Sequence, residues 1–203
     1  MRVAIATIVG GDGLGRRVLI SPDGRVVTGV DSPALASRIA ELALGALGHE
    51  RSQAVTIADT ELIIEIVMPP RPLIVFGSNY DVLPLVEQAK CVGWDVTIAV
   101  RRETATLRQR LSIADRIVVW PANDLEISRR SAVVVMTHNY EADRAALKLV
   151  LPTAAPYVGI LGPRARTERL LADVAGSGVR VATMNHRNTS FPRETARDRP
   201  PFV

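Results

Sequence analysis

Apolar positions along the chain follow two rhythms. Short continuous apolar runs at 73–76, 132–136 and 157–161 lack polar alternation, the pattern of strands buried on both faces of a parallel sheet. After each run, apolar residues recur at helical spacing: Val82, Leu85, Val86 and Ala89, then Ala142, Ala145, Ala146, Leu149 and Val150, then Leu170, Leu171 and Val174. Asp81 and Asn139 stand where N-caps belong, and Pro163 takes the favoured first position of the third helix. Gly93, Pro152 and Gly176 are the expected stops. Strands at 95–100 and 116–120 complete the β-α-β order, and 179–182 is a candidate sixth strand. The whole predicts a Rossmann-like parallel-sheet domain over 73–183 with helices on both faces.

The first 68 residues predict a small N-terminal α/β domain. A strand at 2–9 leads into Gly10-Gly11-Asp12-Gly13, and apolar stretches at 18–20 and 25–30 flank Ser21-Pro22-Asp23-Gly24, a hairpin signal. Asp31 or Ser32 caps a helix with Pro33 at its start, an inner face of Leu35, Ile39, Leu42 and Ala46, and a stop at Gly48. Strands at 53–57 and 61–67 follow. Three prolines within Met68-Pro69-Pro70-Arg71-Pro72 mark 69–72 as a stiff linker between the domains. Beyond Met184 few apolar residues remain, so 184–203 is expected to be a polar tail with little core of its own.

Composition narrows the function classes. In 203 residues, 47% hydrophobic and 23% charged content is ordinary for a soluble globular protein. The net charge of +4 is mildly basic, but the arginines are dispersed and aromatic residues make up only 4%, which argues against nucleic-acid binding. Cys91 is the single cysteine, so no intrachain disulfide or thiolate cluster can form; its place on an amphipathic helix suggests a packed side chain. His49, His138 and His186 are too dispersed to suggest a metal site. No apolar run approaches the roughly 20 residues that span a bilayer. The expectation is a cytoplasmic protein without a membrane span.

Candidate chemistry lies beyond the strand ends, where ligands bind in open parallel sheets. The turn Gly77-Ser78-Asn79-Tyr80 keeps one glycine of the dinucleotide fingerprint, with Asn79 and Val82 at the other two places. Val100-Arg101-Arg102 stands where a ribose-holding acid is expected; either arginine could instead meet a 2′-phosphate. Thr137-His138-Asn139-Tyr140 with Asp143 forms the densest polar cluster, more simply read as capping than as catalysis. Gly162-Pro163-Arg164 with Arg166 places backbone donors and positive charge at a helix start. The expected cofactor-binding set is Gly77, Ser78, Asn79, Arg102, Thr137, His138, Gly162 and Arg164, arranged around an anion. No catalytic or metal-ligating residue is assigned.

Val135-Met136-Thr137-His138 through Glu141 and Asp143, Tyr157-Val158-Gly159-Ile160-Leu161-Gly162, and Leu73-Ile74-Val75-Phe76-Gly77 resemble the XdhC/CoxI family of molybdenum hydroxylase accessory proteins. Gly15 to Val30, with Asp23-Gly24, resembles the family's N-terminal part. The resemblance implies a binding and maturation factor that takes up molybdenum cofactor, aids its sulfuration and delivers it to an apo molybdenum hydroxylase such as xanthine dehydrogenase; it also implies a homodimer. The chain reads as a divergent member. Ser32-Pro33-Ala34-Leu35-Ala36 replaces the family's Gly-Gly-Cys-x-Glu, and Asp59-Thr60-Glu61 its Cys-Gly-Gly. The Gly-x-Gly-His turn has become Gly77-Ser78-Asn79-Tyr80, Arg102 alone remains of Asp-x-Arg, and Asn139-Tyr140 replaces Asp and His. The family's closing Gly-rich segment is not recognisable after Gly178. Two other functions stay open: an NAD(P)-dependent oxidoreductase with an atypical Rossmann turn, and a scaffold retaining only a protein partner.

Overall fold

The computed structural model describes residues 2–121 and 125–179. The expected strand at 179–182 and the tail at 184–203 lie outside these residues, except Val179. The chain divides into two compact units, Met1–Pro69 and Pro70–Val203.

In the first unit, β1 (Val3–Gly10), β2 (Arg17–Ile20), β3 (Val26–Thr28), β4 (Gln53–Ile57) and β5 (Thr60–Val67) form one antiparallel sheet in the order β3-β2-β1-β5-β4. Alternation along β1 sends Ala4, Ala6 and Ile8 to one face, where they pack with Val18, Ile20, Leu62 and Ile64. Helix α1 (Pro33–His49) covers that face with Ile39, Ala43, Ala46 and Leu47. Ser32 is its cap, accepting from the Leu35 amide. Gly48 does not end the helix: it lies inside it, and Glu50 supplies the left-handed C-cap with φ 54°.

The second unit carries β6 (Pro72–Phe76), β7 (Asp95–Val100), β8 (Arg116–Val119), β9 (Ala132–Val135) and β10 (Tyr157–Ile160), all parallel, in the order β10-β9-β6-β7-β8. The chain starts in the middle at β6, steps outward to β7 and β8, then crosses back to β9 and β10. Its switch point therefore lies between β6 and β9, as in a Rossmann sheet. The apolar run of β6 feeds two cores. Leu73 and Val75 face α2 (Val82–Cys91), meeting Val82, Val86 and Ala89. Ile74 and Phe76 face α4 (Tyr140–Val150) and α5 (Arg164–Gly176), meeting Ala146, Leu147, Leu170 and Val174. Burial on both faces explains why these strands show no polar alternation.

Several helix ends differ from expectation. Asp81 precedes α2 but makes no side-chain cap bond, because its carboxylate engages His138. Pro163 is the residue before α5 rather than its first, while Gly176 is the last residue of the helix, as expected. Cys91, the last residue of α2, is exposed rather than packed. One helix lies outside the sequence expectations: α3 (Ala105–Arg110), capped by Thr104. It has no buried residue, and so shows no apolar stripe in the sequence.

Candidate functional site

Three turns leave the carboxyl ends of β6, β7 and β9 on the same edge of the sheet. After β6, Gly77 adopts φ +154°, and a Cβ built there would lie 2.6 Å from the Met136 carbonyl oxygen at the end of β9. The glycine thus permits close approach of two neighbouring strand ends. Its own amide donates to the Ala99 carbonyl at 3.2 Å. Arg110 reaches back to donate to the Ser78 carbonyl and stacks over the Tyr80 ring at 4.7 Å. The turn is consequently held by internal contacts on both sides.

After β9, Thr137 and Asn139 organise the start of α4. Asn139 Oδ1 accepts from the Ala142 amide at 2.9 Å, a capping bond that the sequence anticipated. His138 sits in the left-handed region at φ 60°, and its Nε2 lies 2.5 Å from Asp81 Oδ2. Asp143, fully buried, accepts from Thr137 through both the amide at 3.1 Å and the hydroxyl at 2.5 Å, and from Arg166 of α5 at 2.6 Å. The Asp143–Arg166 pair ties the turn after β9 to the helix after β10. Tyr140 extends this brace, donating its hydroxyl to Asp173 at 2.7 Å; desolvation and that carboxylate raise the phenol above its ordinary pKa.

Between the ends of β6, β7 and β9 lies a cavity of about 500 Å³. Gly77 and Ser78 form one wall, the end of β7 from Ala99 through Arg102 another, and Thr137, Asn139, Glu141 and Ala142 a third. Trp120, just past β8, closes it. This ring is only 4% exposed, packs edge-on against Phe76 at 5.2 Å between centroids, and has the Arg101 guanidinium above it at 4.7 Å. Its Nε1–H is buried without an acceptor among the described residues.

Of the eight residues expected from sequence, Gly77, Ser78, Arg102 and Thr137 line this cavity. Asn79, His138, Gly162 and Arg164 do not. His138 turns to Asp81, and Arg164 pairs with Glu168 at 2.7 Å on an exposed helix face. Gly162 takes φ +148° with only the Arg166 side chain near its Cβ position. Trp120 and Glu141 are not among the residues expected from sequence. A signal existed for Trp120, since a lone aromatic directly after a buried strand falls at the ligand-binding edge. None existed for Glu141: as an acid on a helical first turn it reads as dipole compensation. Among the described residues no cluster of His, Cys, Asp and Glu is suited to a metal ion, and no helix is long and apolar enough to cross a membrane.

Residues 73–189 match the family described as the XdhC Rossmann domain. A relative from Bacillus subtilis (strain 168), named as a probable xanthine dehydrogenase component, is 28% identical over 117 residues, 56% of this chain and 36% of the relative. The chain thus spans about a third of that relative's length. A crystal structure of a xanthine dehydrogenase from Bacillus halodurans superposes with a TM-score of 0.52 over 85% of this chain and 81% of that one, at 19% identity, which establishes likeness of fold. With the match covering more than half of its length and falling on the parallel-sheet unit just described, the chain belongs to the XdhC Rossmann domain family.

Proposed function

We propose that the protein is an accessory factor for a molybdenum-containing dehydrogenase of the xanthine dehydrogenase type, and that it acts by binding rather than turnover. Family membership over 73–189 carries this reading, together with the cavity that the domain keeps at its strand ends. The charged groups around the turns support binding. His138 pairs with Asp81, Arg166 with Asp143 and Arg110 with the Ser78 carbonyl, so these side chains brace the turns that form the cavity walls.

The ligand of that cavity would be the molybdenum cofactor, a pterin bearing a terminal phosphate, and the donor set suits it. The orphaned Trp120 Nε1–H needs an acceptor, Arg101 and Arg102 offer charge for a phosphate, and the Glu141 carboxylate can accept ring N–H groups. When bound, the cofactor would supply the molybdenum centre destined for the client; this chain's residues would hold and orient it. An NAD(P) oxidoreductase fits less well. A pyrophosphate at this turn would rely on the glycines of the dinucleotide fingerprint, of which only Gly77 is present, and the Asp81 carboxylate adds negative charge at the start of α2.

The test is to express the full chain with cofactor biosynthesis intact, purify it, and assay bound pterin and molybdenum while probing for capture of an apo molybdenum hydroxylase. Bound pterin or a stoichiometric client complex is expected. Neither pterin nor client, with micromolar NAD(P) affinity instead, would shift the assignment to the oxidoreductase reading.

A further inference from the structure

Positive charge around this sheet edge is unevenly committed. Arg110, Arg164 and Arg166 are each held by an internal acceptor. Glu103, the acid next in sequence to Arg102, pairs with Arg108. Arg101 and Arg102 form no ion pair among the described residues, and both line the cavity. Carboxylates are distributed the other way. Asp81 lies at the start of α2, and Glu141 lies in the cavity wall on α4, held by Arg144 at 2.6 Å. Since β7 and β9 flank β6, the two ends of the cavity are separated by two strand spacings, about 10 Å. The cavity is therefore uneven in charge, with two guanidinium groups outside any ion pair at the end of β7 and a carboxylate paired with Arg144 at the start of α4.

We propose that the cavity reads a terminal phosphomonoester with Arg101 and Arg102, not with the Gly77 turn, and directs the N–H-bearing end of a flat heterocycle toward Glu141. This rests on the cavity being a ligand site, whichever client is served. Three observations carry it. The guanidinium pair forms no ion pair among the described residues, so an anion gains charge-assisted bonds without breaking a salt bridge that the structure shows. Arg101 is already set by its stack on Trp120. Trp120 presents a buried donor with no acceptor, a group that a ligand oxygen would satisfy.

Calorimetric titration of the full chain with 5′-AMP, 2′-AMP, adenosine and inorganic pyrophosphate tests the assignment. At least one monophosphate should bind about tenfold or more tightly than adenosine, with pyrophosphate weaker than that monophosphate. Preference for 2′-AMP would indicate a dinucleotide's 2′-phosphate as the source, and preference for 5′-AMP a singly phosphorylated ligand. The double variant Arg101→Gln/Arg102→Gln should abolish the preference, read as the ratio of monophosphate to adenosine affinity within the same variant, and Arg101→Lys/Arg102→Lys should keep most of it. Both arginines are exposed, and thermal melts check the folding of each variant. Ala142→Leu, which narrows the cavity, should weaken all three nucleosides together. Equal binding of monophosphate and adenosine, or a preference surviving the Gln double variant while Ala142→Leu abolishes binding, overturns the phosphate assignment alone. Absence of binding by every nucleoside, or indifference to Ala142→Leu, overturns the cavity reading with it.

Discussion

Asp143, fully buried on the first turn of α4, receives the Arg166 guanidinium of α5 at 2.6 Å. The same carboxylate takes two bonds from Thr137, so one side chain fixes the turn after β9 and the docking of two helices. Removing one partner of a buried pair leaves an uncompensated charge or an empty polar site. Asp143→Ala and Arg166→Leu should each cost about 3–5 kcal/mol in urea unfolding. A loss below about 1 kcal/mol for both would mean that water or rearrangement replaces the pair.

Gly77→Ala places a methyl group 2.6 Å from the Met136 carbonyl and imposes φ +154° on an L-residue. The strand ends of β6 and β9 would have to separate, with an expected cost of about 2–4 kcal/mol and a distorted cavity wall. Chemical denaturation measures the first. Changed near-ultraviolet circular dichroism from Trp120 would report the second, and an unperturbed spectrum at wild-type stability would refute both.

Asp115 links three segments: Lys90 of α2 at 2.7 Å, the Val96 amide of β7 at 2.7 Å, and its own chain just before β8. Desolvation opposes its ionisation, but Lys90 and the amide outweigh it and hold the carboxyl below the ordinary 3.8. A carboxyl lowered in the folded state stabilises above its unfolded value, and that stabilisation is lost as pH falls through the folded value. Wild type should therefore lose more stability than Asp115→Asn between pH 5 and pH 2. The side chain is 39% exposed, so solvent screening limits the difference to about 1 kcal/mol. Parallel acid limbs in the two proteins would contradict the assignment.

Ala58 turns β4 into β5 with φ 50°, a left-handed conformation that costs a non-glycine residue about 1–2 kcal/mol. Ala58→Gly relieves this strain but adds freedom to the unfolded chain, leaving a net gain of about 0.5–1 kcal/mol in thermal unfolding. A decrease in Tm would show that the Ala58 methyl group contributes packing.

The alternation of strands and helices in the second unit is legible in the amino-acid pattern alone. Burial of β6 and β9 on both faces demands uninterrupted apolar residues, and Asn139 caps through a bond three residues away, so both signals are local. The same locality made the Ser21-Pro22-Asp23-Gly24 hairpin and the Ser32 cap legible. Helix ends were less so. Gly48 lies inside α1 because glycine permits a stop without enforcing one, and Glu50 accepts the left-handed cap instead, whereas Gly176 does end α5. The roles of the polar residues depend on folding, which brings their partners to them. Asp81 looked like a cap until β9 brought His138 beside it, and Arg166 looked free until α4 offered Asp143. Gly77 looked like a remnant of a phosphate cradle, but the Met136 carbonyl is what forbids a side chain there. Each of these outcomes depends on a partner from another strand or helix, and which strands become neighbours is a property of sheet order, to which no single stretch of sequence holds the key.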